Sequence, residues 1–201
     1  MAEQIQAINF SRTNLIYAIL PSFQSHWVYK LILVLIGSLL LTLSAKIQVP
    51  FYPVPMTMQT CVLLILSMTL GSKLASLTVL LYLVEGALGL PVFAGTPLKG
   101  LGLEYILGPT GGYLLGFFLA SCIVGYLADN GFDRTFFRAF IAMLIGTILI
   151  FLCGYVWLSG FIGLEKAMQF GVLPFFWSEL FKIGLATAAL PICWNIVGRK
   201  T

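Results

Sequence analysis

Charge is scarce in this chain. Lysine, arginine, aspartate and glutamate together make up 9% of its 201 residues, whereas a soluble globular domain has about 25%. Hydrophobic residues account for 60% and form long runs along the whole length. This composition excludes a soluble domain with a single membrane anchor and predicts an all-α protein that crosses a lipid bilayer several times. Segments of about ten residues with alternating polarity, the mark of outer-membrane barrels, are also missing.

Motifs of catalytic, nucleotide and metal chemistry are absent too. The sequence has no Walker A loop, no HExxH, no GxSxG and no aspartate-rich metal motif. Its four cysteines lie far apart in apolar runs, and the single histidine, His26, precedes the first of these runs, so we predict no metal site and no cofactor. The net charge of +4 includes no basic block and gives no indication of nucleic-acid binding. Any energy from ATP would therefore come from a partner.

Long apolar runs predict six transmembrane helices behind a short N-terminal segment. Residues 1–27 mix polar and apolar side chains, so we expect them to lie at the cytoplasmic interface, with the transmembrane domain occupying 28–201. The predicted spans are about 28–45, 57–70, 74–90, one that begins near Pro109, 139–157 and 174–197. In the fourth span, Gly112, Gly116 and Ala120 recur every four residues, which favours close packing against another helix.

The distribution of basic residues predicts the orientation. Six spans place both termini on one side, together with seven basic residues: Arg12, Lys30, Lys73, Arg134, Arg138, Arg199 and Lys200. The other side has three, if Lys182 is counted as intramembrane: Lys46, Lys99 and Lys166. The positive-inside rule therefore predicts cytoplasmic termini. Three connections, 46–59, 91–108 and 160–173, then face outwards, and because they are weakly polar we expect them to cover that end of the bundle.

Two ionisable residues lie inside the last span. Glu179 and Lys182 are three positions apart, so one helical face carries both. From a helix start near Pro174, Lys182 lies about 12 Å along the axis, within a hydrocarbon core about 30 Å thick. Ionisable residues at that depth usually face a cavity or the bundle interior. Two interpretations stay open: a ligand site beneath the three connections, or an ion pair that only fixes helix packing.

A ligand site here would combine aromatic walls with a few polar groups. Glu179 could accept two N–H donors, and Lys182 could hold a carbonyl or carboxylate oxygen. The other candidates are Phe93, Tyr113, Trp177, Phe175 and Tyr52 as walls, with Gln59 and Thr110 as polar groups. An intramembrane enzyme that uses Glu179 as a base on a lipid-like substrate is one alternative, and a structural membrane subunit is another.

Three motifs occur in a characteristic order. They are Pro-Val-Pro-Met-Thr-Met-Gln at 53–59, Tyr-Leu-Val-Glu-Gly-Ala-Leu-Gly-Leu-Pro-Val-Phe-Ala at 82–94, and Gly-Pro-Thr-Gly-Gly-Tyr at 108–113, followed by Gly116 and Phe117. The chain resembles the BioY family, the biotin-specific substrate-binding (S) components of energy-coupling factor (ECF) transporters. The resemblance extends from about Ile47 to Lys182.

This resemblance implies a six-helix S-component bundle in a bacterial cytoplasmic (inner) membrane, with uptake of biotin and no catalysis by the chain itself. It further implies an outer biotin site, closed by the loop between the first two helices, and a coupling (T) subunit shared with two ATPases. In the family the aspartate of a Gly-Asp pair and a lysine three residues after it are expected to contact biotin. They map onto Glu179 and Lys182, and Ser178 stands in place of the glycine. Trp177 stands where a small residue or proline is common. The Ala-xxx-Ala docking pattern of the first helix is only approximated, by Gly37, Thr42 and Ala45.

Overall fold

The computed structural model describes residues 14–20, 26–50, 52–98 and 100–198, with side chains through Asn195. The predicted interfacial segment 1–27 lies largely outside the described residues. The same holds for four of the basic residues used to predict orientation: Arg12, Lys99, Arg199 and Lys200.

The described residues are mostly helical. The elements in chain order are α1 (Leu15–Ile19), α2 (Trp27–Lys46), β1 (Gln48–Val49), β2 (Met56–Thr57), α3 (Gln59–Ala87), α4 (Leu103–Ile106), α5 (Gly111–Asp129), α6 (Phe136–Ile162), α7 (Leu164–Gly171), a 3-10 turn (Leu173–Phe175) and α8 (Phe176–Gly198). Among these residues, five stretches are long and apolar enough to cross a membrane: α2, α3, α5, α6 and Leu164–Asn195. This agrees with an all-α membrane protein.

Helix α3 folds back on itself at Gly71. The backbone there has φ 75° and ψ 176°, outside the helical region, and the Ser72 N–H donates to Asp129 Oδ2 over 3.1 Å. Gln59 Nε2 reaches Tyr82 Oη at 2.6 Å although 23 positions separate them; a straight helix would hold them roughly 34 Å apart. The predicted turn between the second and third spans is confirmed. Six membrane crossings and cytoplasmic termini stay predictions.

Glycines bring α5 and α6 into close contact. A Cβ added at Gly116 would lie 2.7 Å from Ile150 Cα, and one added at Gly154 would overlap the Tyr113 ring. The small-residue face predicted for the fourth span therefore packs within the bundle. Gly37 of α2 also faces inward, where an added Cβ would lie 2.6 Å from Thr78 Cγ2. That position is not available for docking another subunit.

Three connections meet at one end of the bundle, as predicted. The first, 47–58, contains the β1–β2 pair, in which Gln48 faces Thr57; we call it the covering loop. The second, 88–110, is largely apolar and buries Phe93 and Tyr105. The third is segment 160–173, which is mostly helical, so the prediction of a loop there is wrong. Helix α6 continues to Ile162 and α7 follows, with Ala167 buried and the intervening Gly163 at φ 84°.

The turn between α5 and α6 carries a buried carboxylate. Asp133 is 1% exposed, and its Oδ2 accepts a hydrogen bond of 2.8 Å from Trp194 Nε1 of α8. Burial raises the pKa of Asp133 from 3.8 to about 6, against the opposing effects of this hydrogen bond and the Arg134 charge. The folded protein therefore binds a proton more tightly at Asp133 than the unfolded chain does.

We expect Asp133 to make stability fall as pH rises. The contribution of its protonation is fully present below pH 3.8 and is lost as pH passes about 6. A shift of about two pKa units corresponds to at most about 3 kcal/mol. Asp133→Asn keeps an acceptor for Trp194 without the charge. Thermal unfolding in detergent between about pH 4 and 6, within the window of these pKa values, should show a steeper loss for wild type than for the variant, and identical slopes would contradict this.

Candidate ligand-binding site

A cavity of about 50 Å³ lies beneath the three connections. The covering loop contributes Val54 and Pro55 to its wall, the second connection contributes Ala94 and Tyr105, and Phe175 closes it ahead of α8. Burial raises the pKa of Tyr105, so the phenol is neutral, and its O–H donates to the Ala94 carbonyl over 2.8 Å. The walls are thus mainly apolar and fixed by hydrogen bonds of the connecting segments.

Glu179 and Lys182 form a buried ion pair at this cavity. Their exposed fractions are 4% and 8%, and Lys182 Nζ lies 2.7 Å from Glu179 Oε1. The ammonium also donates to the Thr57 carbonyl at 2.7 Å and to Thr60 Oγ1 at 3.3 Å. The Thr60 hydroxyl donates in turn to Glu179 Oε1 at 3.1 Å. The lysine therefore connects α8 to the covering loop and to the start of α3.

The second carboxylate oxygen of Glu179 is unsatisfied. Oε2 is buried and has no hydrogen-bond partner among the described residues, while Glu179 lines the cavity. An unsatisfied buried acceptor costs about 1–3 kcal/mol, and more when charged. The site is therefore short of a donor that a ligand could supply.

A second cavity adjoins the first on its α6–α8 side. It measures about 180 Å³ and shares Phe151 and Glu179 with the first cavity. Thr147 also lines it, and its hydroxyl has no partner in the described part of the chain. Glu179 thus stands between two spaces of largely apolar character.

The structure brings five of the nine residues predicted for the site to the first cavity. These five line it: Gln59, Thr110, Tyr113, Phe175 and Glu179. Lys182 lies next to them through its bonds to Thr57, Thr60 and Glu179. The Gln59 amide donates to the Tyr82 hydroxyl over 2.6 Å, and the Tyr113 hydroxyl donates to the Gly171 carbonyl over 2.8 Å. Both side chains are held in place before any ligand arrives.

Phe93 and Trp177 lie outside the lining. Phe93 is 1% exposed and stacks on Tyr105 at 4.8 Å, so it supports the wall from behind. Trp177 is 75% exposed on the outer surface of α8. It precedes Glu179 by two positions, or about 200° around a helix, so helical periodicity already places it on the opposite face. Tyr52, a further predicted wall, is 85% exposed in the covering loop.

Residues missed in the sequence complete the site. Thr57 and Thr60 bind Lys182, and Tyr105 and Phe151 form walls. Thr57 and Thr60 lie on either side of Gln59 in the sequence, and Thr60 follows Gln59 in α3. Their closeness to Gln59 could have predicted them as site residues. Tyr105 comes from an irregular segment, where side-chain direction does not follow from periodicity.

Known proteins similar to this chain share most of its length. A protein of Pyrococcus horikoshii named "Probable biotin transporter BioY" is 40% identical over 147 residues, 73% of this chain and 85% of that protein. One of Thermotoga maritima named "Biotin transporter BioY" is 36% identical over 148 residues, again 73% and 85%. One of Rickettsia prowazekii, named as the first, is 34% identical over 161 residues, 78% and 79%.

The fold is similar to a solved structure described as the S-component for biotin from an ECF-type ABC transporter. The TM-score is 0.73 at 24% identity, with 84% of this chain and 92% of that chain covered. This likeness supports the S-component-like bundle predicted from the sequence. The model of the BioY family matches residues 13–199. The resemblance inferred from the three motifs is confirmed, and this multi-pass membrane protein belongs to the BioY family.

Proposed function

We propose that the protein binds biotin at the first cavity and is the substrate-binding subunit for biotin uptake. Biotin enters from the outer side of a bacterial cytoplasmic membrane and is released inward. The names of the similar proteins support the substrate. The observation that carries the proposal is the unpartnered Oε2 of Glu179, buried at the cavity.

The chemistry of biotin suits the two charged groups. Its ureido ring has N–H donors for Glu179 Oε2 and a carbonyl acceptor for Lys182 Nζ. Its thiophane ring and valeryl chain are apolar enough to lie against Tyr113, Phe151 and Phe175. Because the ureido ring is neutral, it satisfies both charged groups without placing another charge beside them, and the ionised carboxylate of biotin is at the far end of the valeryl chain.

Entry of biotin requires the covering loop to move. The cavity of about 50 Å³ is far smaller than the roughly 300–1,000 Å³ of ligand pockets. Lys182 Nζ holds the loop through the Thr57 carbonyl. A ureido carbonyl would compete for that ammonium, so ligand binding and release of the loop are coupled at one atom.

Energy for inward release comes from partners. The chain lacks a Walker A motif, and the relatives compared are named transporters. We therefore infer a coupling (T) subunit and two ATPases, with the chain surrounded by the lipid bilayer and without a role in nucleic-acid binding. The intramembrane-enzyme alternative gains no support from these relatives. The alternative of a structural membrane subunit accounts for the ion pair but does not explain why Glu179 Oε2 is buried without a hydrogen-bond partner.

Equilibrium binding of labelled biotin to the purified protein tests the proposal. We expect a dissociation constant below micromolar for wild type. Glu179→Gln should weaken binding by about 10–100-fold, the equivalent of a lost charge-assisted hydrogen bond. Trp177→Leu, at an exposed position outside the cavity, is the matched control and should bind as wild type does. Micromolar or weaker binding that is unaffected by Glu179→Gln would contradict the proposal.

A further inference from the structure

The ammonium of Lys46, the last residue of α2, donates hydrogen bonds to carbonyl groups of the second connection. Its ammonium lies 2.6 Å from the Pro91 carbonyl, 3.0 Å from the Phe93 carbonyl, 3.0 Å from Thr96 Oγ1 and 3.4 Å from the Thr96 carbonyl. An ammonium has three donors, and the three shorter contacts account for them. One side chain thus binds the turn formed by residues 91–96 at three points.

The 91–96 turn is also held from inside the bundle. The Tyr82 hydroxyl donates to the Val92 carbonyl at 3.2 Å, and the Tyr105 hydroxyl donates to the Ala94 carbonyl at 2.8 Å. Tyr82 in turn accepts from Gln59, and both Gln59 and Ala94 line the first cavity. A shift of this turn would therefore move part of the cavity wall.

Lys46 also stands at the base of the covering loop. The next residue, Ile47, accepts a backbone hydrogen bond of 3.1 Å from Met58 N–H, and the β1–β2 pair begins at Gln48. The base of the loop and the 91–96 turn therefore meet at one side chain. Lysine is suited to this role because its compact ammonium can donate to several carbonyl oxygens around it.

We propose that Lys46 is a positioning residue that ties the covering loop to the 91–96 turn and slows the escape of bound ligand. The inference rests on the proposed function, since the ligand is taken to be biotin. Lys46 is not among the residues that line the cavity; it acts through the Phe93 carbonyl, which precedes the lining residue Ala94. Moving the base of the loop away from this turn then requires the three contacts to break.

Lys46→Met tests the tie, because methionine keeps an unbranched apolar stem and loses the donors. We expect biotin to dissociate about tenfold faster from this variant, equivalent to one charge-assisted hydrogen bond, with little change in association. Lys46→Arg keeps the charge and several donors and should recover most of the slow dissociation. Lys166→Met in α7 is the matched control. It removes the same charge from another exposed lysine and should leave both rates unchanged.

Two kinetic results would overturn the proposal. One is dissociation from Lys46→Met at the wild-type rate. The other is an equal loss of association rate in Lys46→Met and Lys166→Met, which would show long-range attraction of an anion instead of a tie. Hydrogen exchange of the amides at 92–96 without biotin provides a readout independent of the ligand. It should be faster in Lys46→Met than in wild type and Lys166→Met, so a wild type that fails to bind biotin leaves the tie testable on its own. Unchanged exchange would refute it.

Discussion

Lys182→Met should abolish high-affinity biotin binding and destabilise the protein. The change removes the partner of a buried carboxylate, which costs about 3–5 kcal/mol, and it frees the Thr57 carbonyl of the covering loop. It also removes the donor proposed for the ureido carbonyl, so binding should weaken by at least about 100-fold. Thermal unfolding in detergent and equilibrium binding measure the two effects separately.

The double variant Glu179→Gln/Lys182→Met separates a ligand site from a structural ion pair. With both charges removed, no buried charge is left unpaired, so stability should return toward the wild-type value. Biotin binding should stay lost, because neither the carboxylate nor the ammonium is present. Recovery of binding together with stability would show that the pair only fixes helix packing, and would contradict its role in the site.

Gly116→Ala should destabilise the bundle and weaken binding through the α5–α6 contact. The added methyl would lie 2.7 Å from Ile150 Cα and 3.0 Å from the Ile150 carbonyl oxygen. Because these are backbone atoms, the helices must separate, and overpacking of this kind costs about 1–3 kcal/mol. Tyr113 and Phe151, one on each helix, line the cavity near this contact, so their separation should lower affinity as well.

Gly184→Ala is the matched control for this change. A methyl at Gly184 of α8 would meet nothing within 4 Å, so the same substitution should raise stability by about 0.5–1 kcal/mol, the usual gain of alanine over glycine in a helix. The melting temperature and the biotin affinity of both variants test these two expectations. Equal stability of the two variants would show that the α5–α6 contact adjusts without cost.

The sequence predicted the parts of this fold that depend on local pattern. Long apolar runs located the spanning helices, and Gly71 located the reversal within α3, because only glycine adopts that backbone without strain. The three-residue spacing of Glu179 and Lys182 placed them on one face, where they form the ion pair. Each of these inferences uses residues close together in the chain.

Other features depend on contacts that no local pattern contains. Helix α7 lies within the segment predicted as a loop at 160–173, and Ala167 becomes buried only when α7 lies on the bundle. Phe93 was expected at the cavity, but its ring packs over Gly86 and beside Tyr105 instead. The binding of Lys182 to Thr57 joins residues 125 positions apart, so the covering loop could not be attached to the site from sequence spacing.

The reversal of α3 at Gly71 has a consequence for the surrounding membrane. The two arms contain 12 residues (Gln59–Leu70) and 16 residues (Ser72–Ala87), or roughly 18 and 24 Å of helix. Both are shorter than a hydrocarbon layer of about 30 Å. Where both arms cross, the lipids beside them must thin their layer or flanking polar side chains must reach back to the interface, each at a fraction of a kcal/mol per Å of hydrophobic mismatch. A thinner bilayer removes that cost, so the stability of this protein should depend on the length of the lipid chains around it.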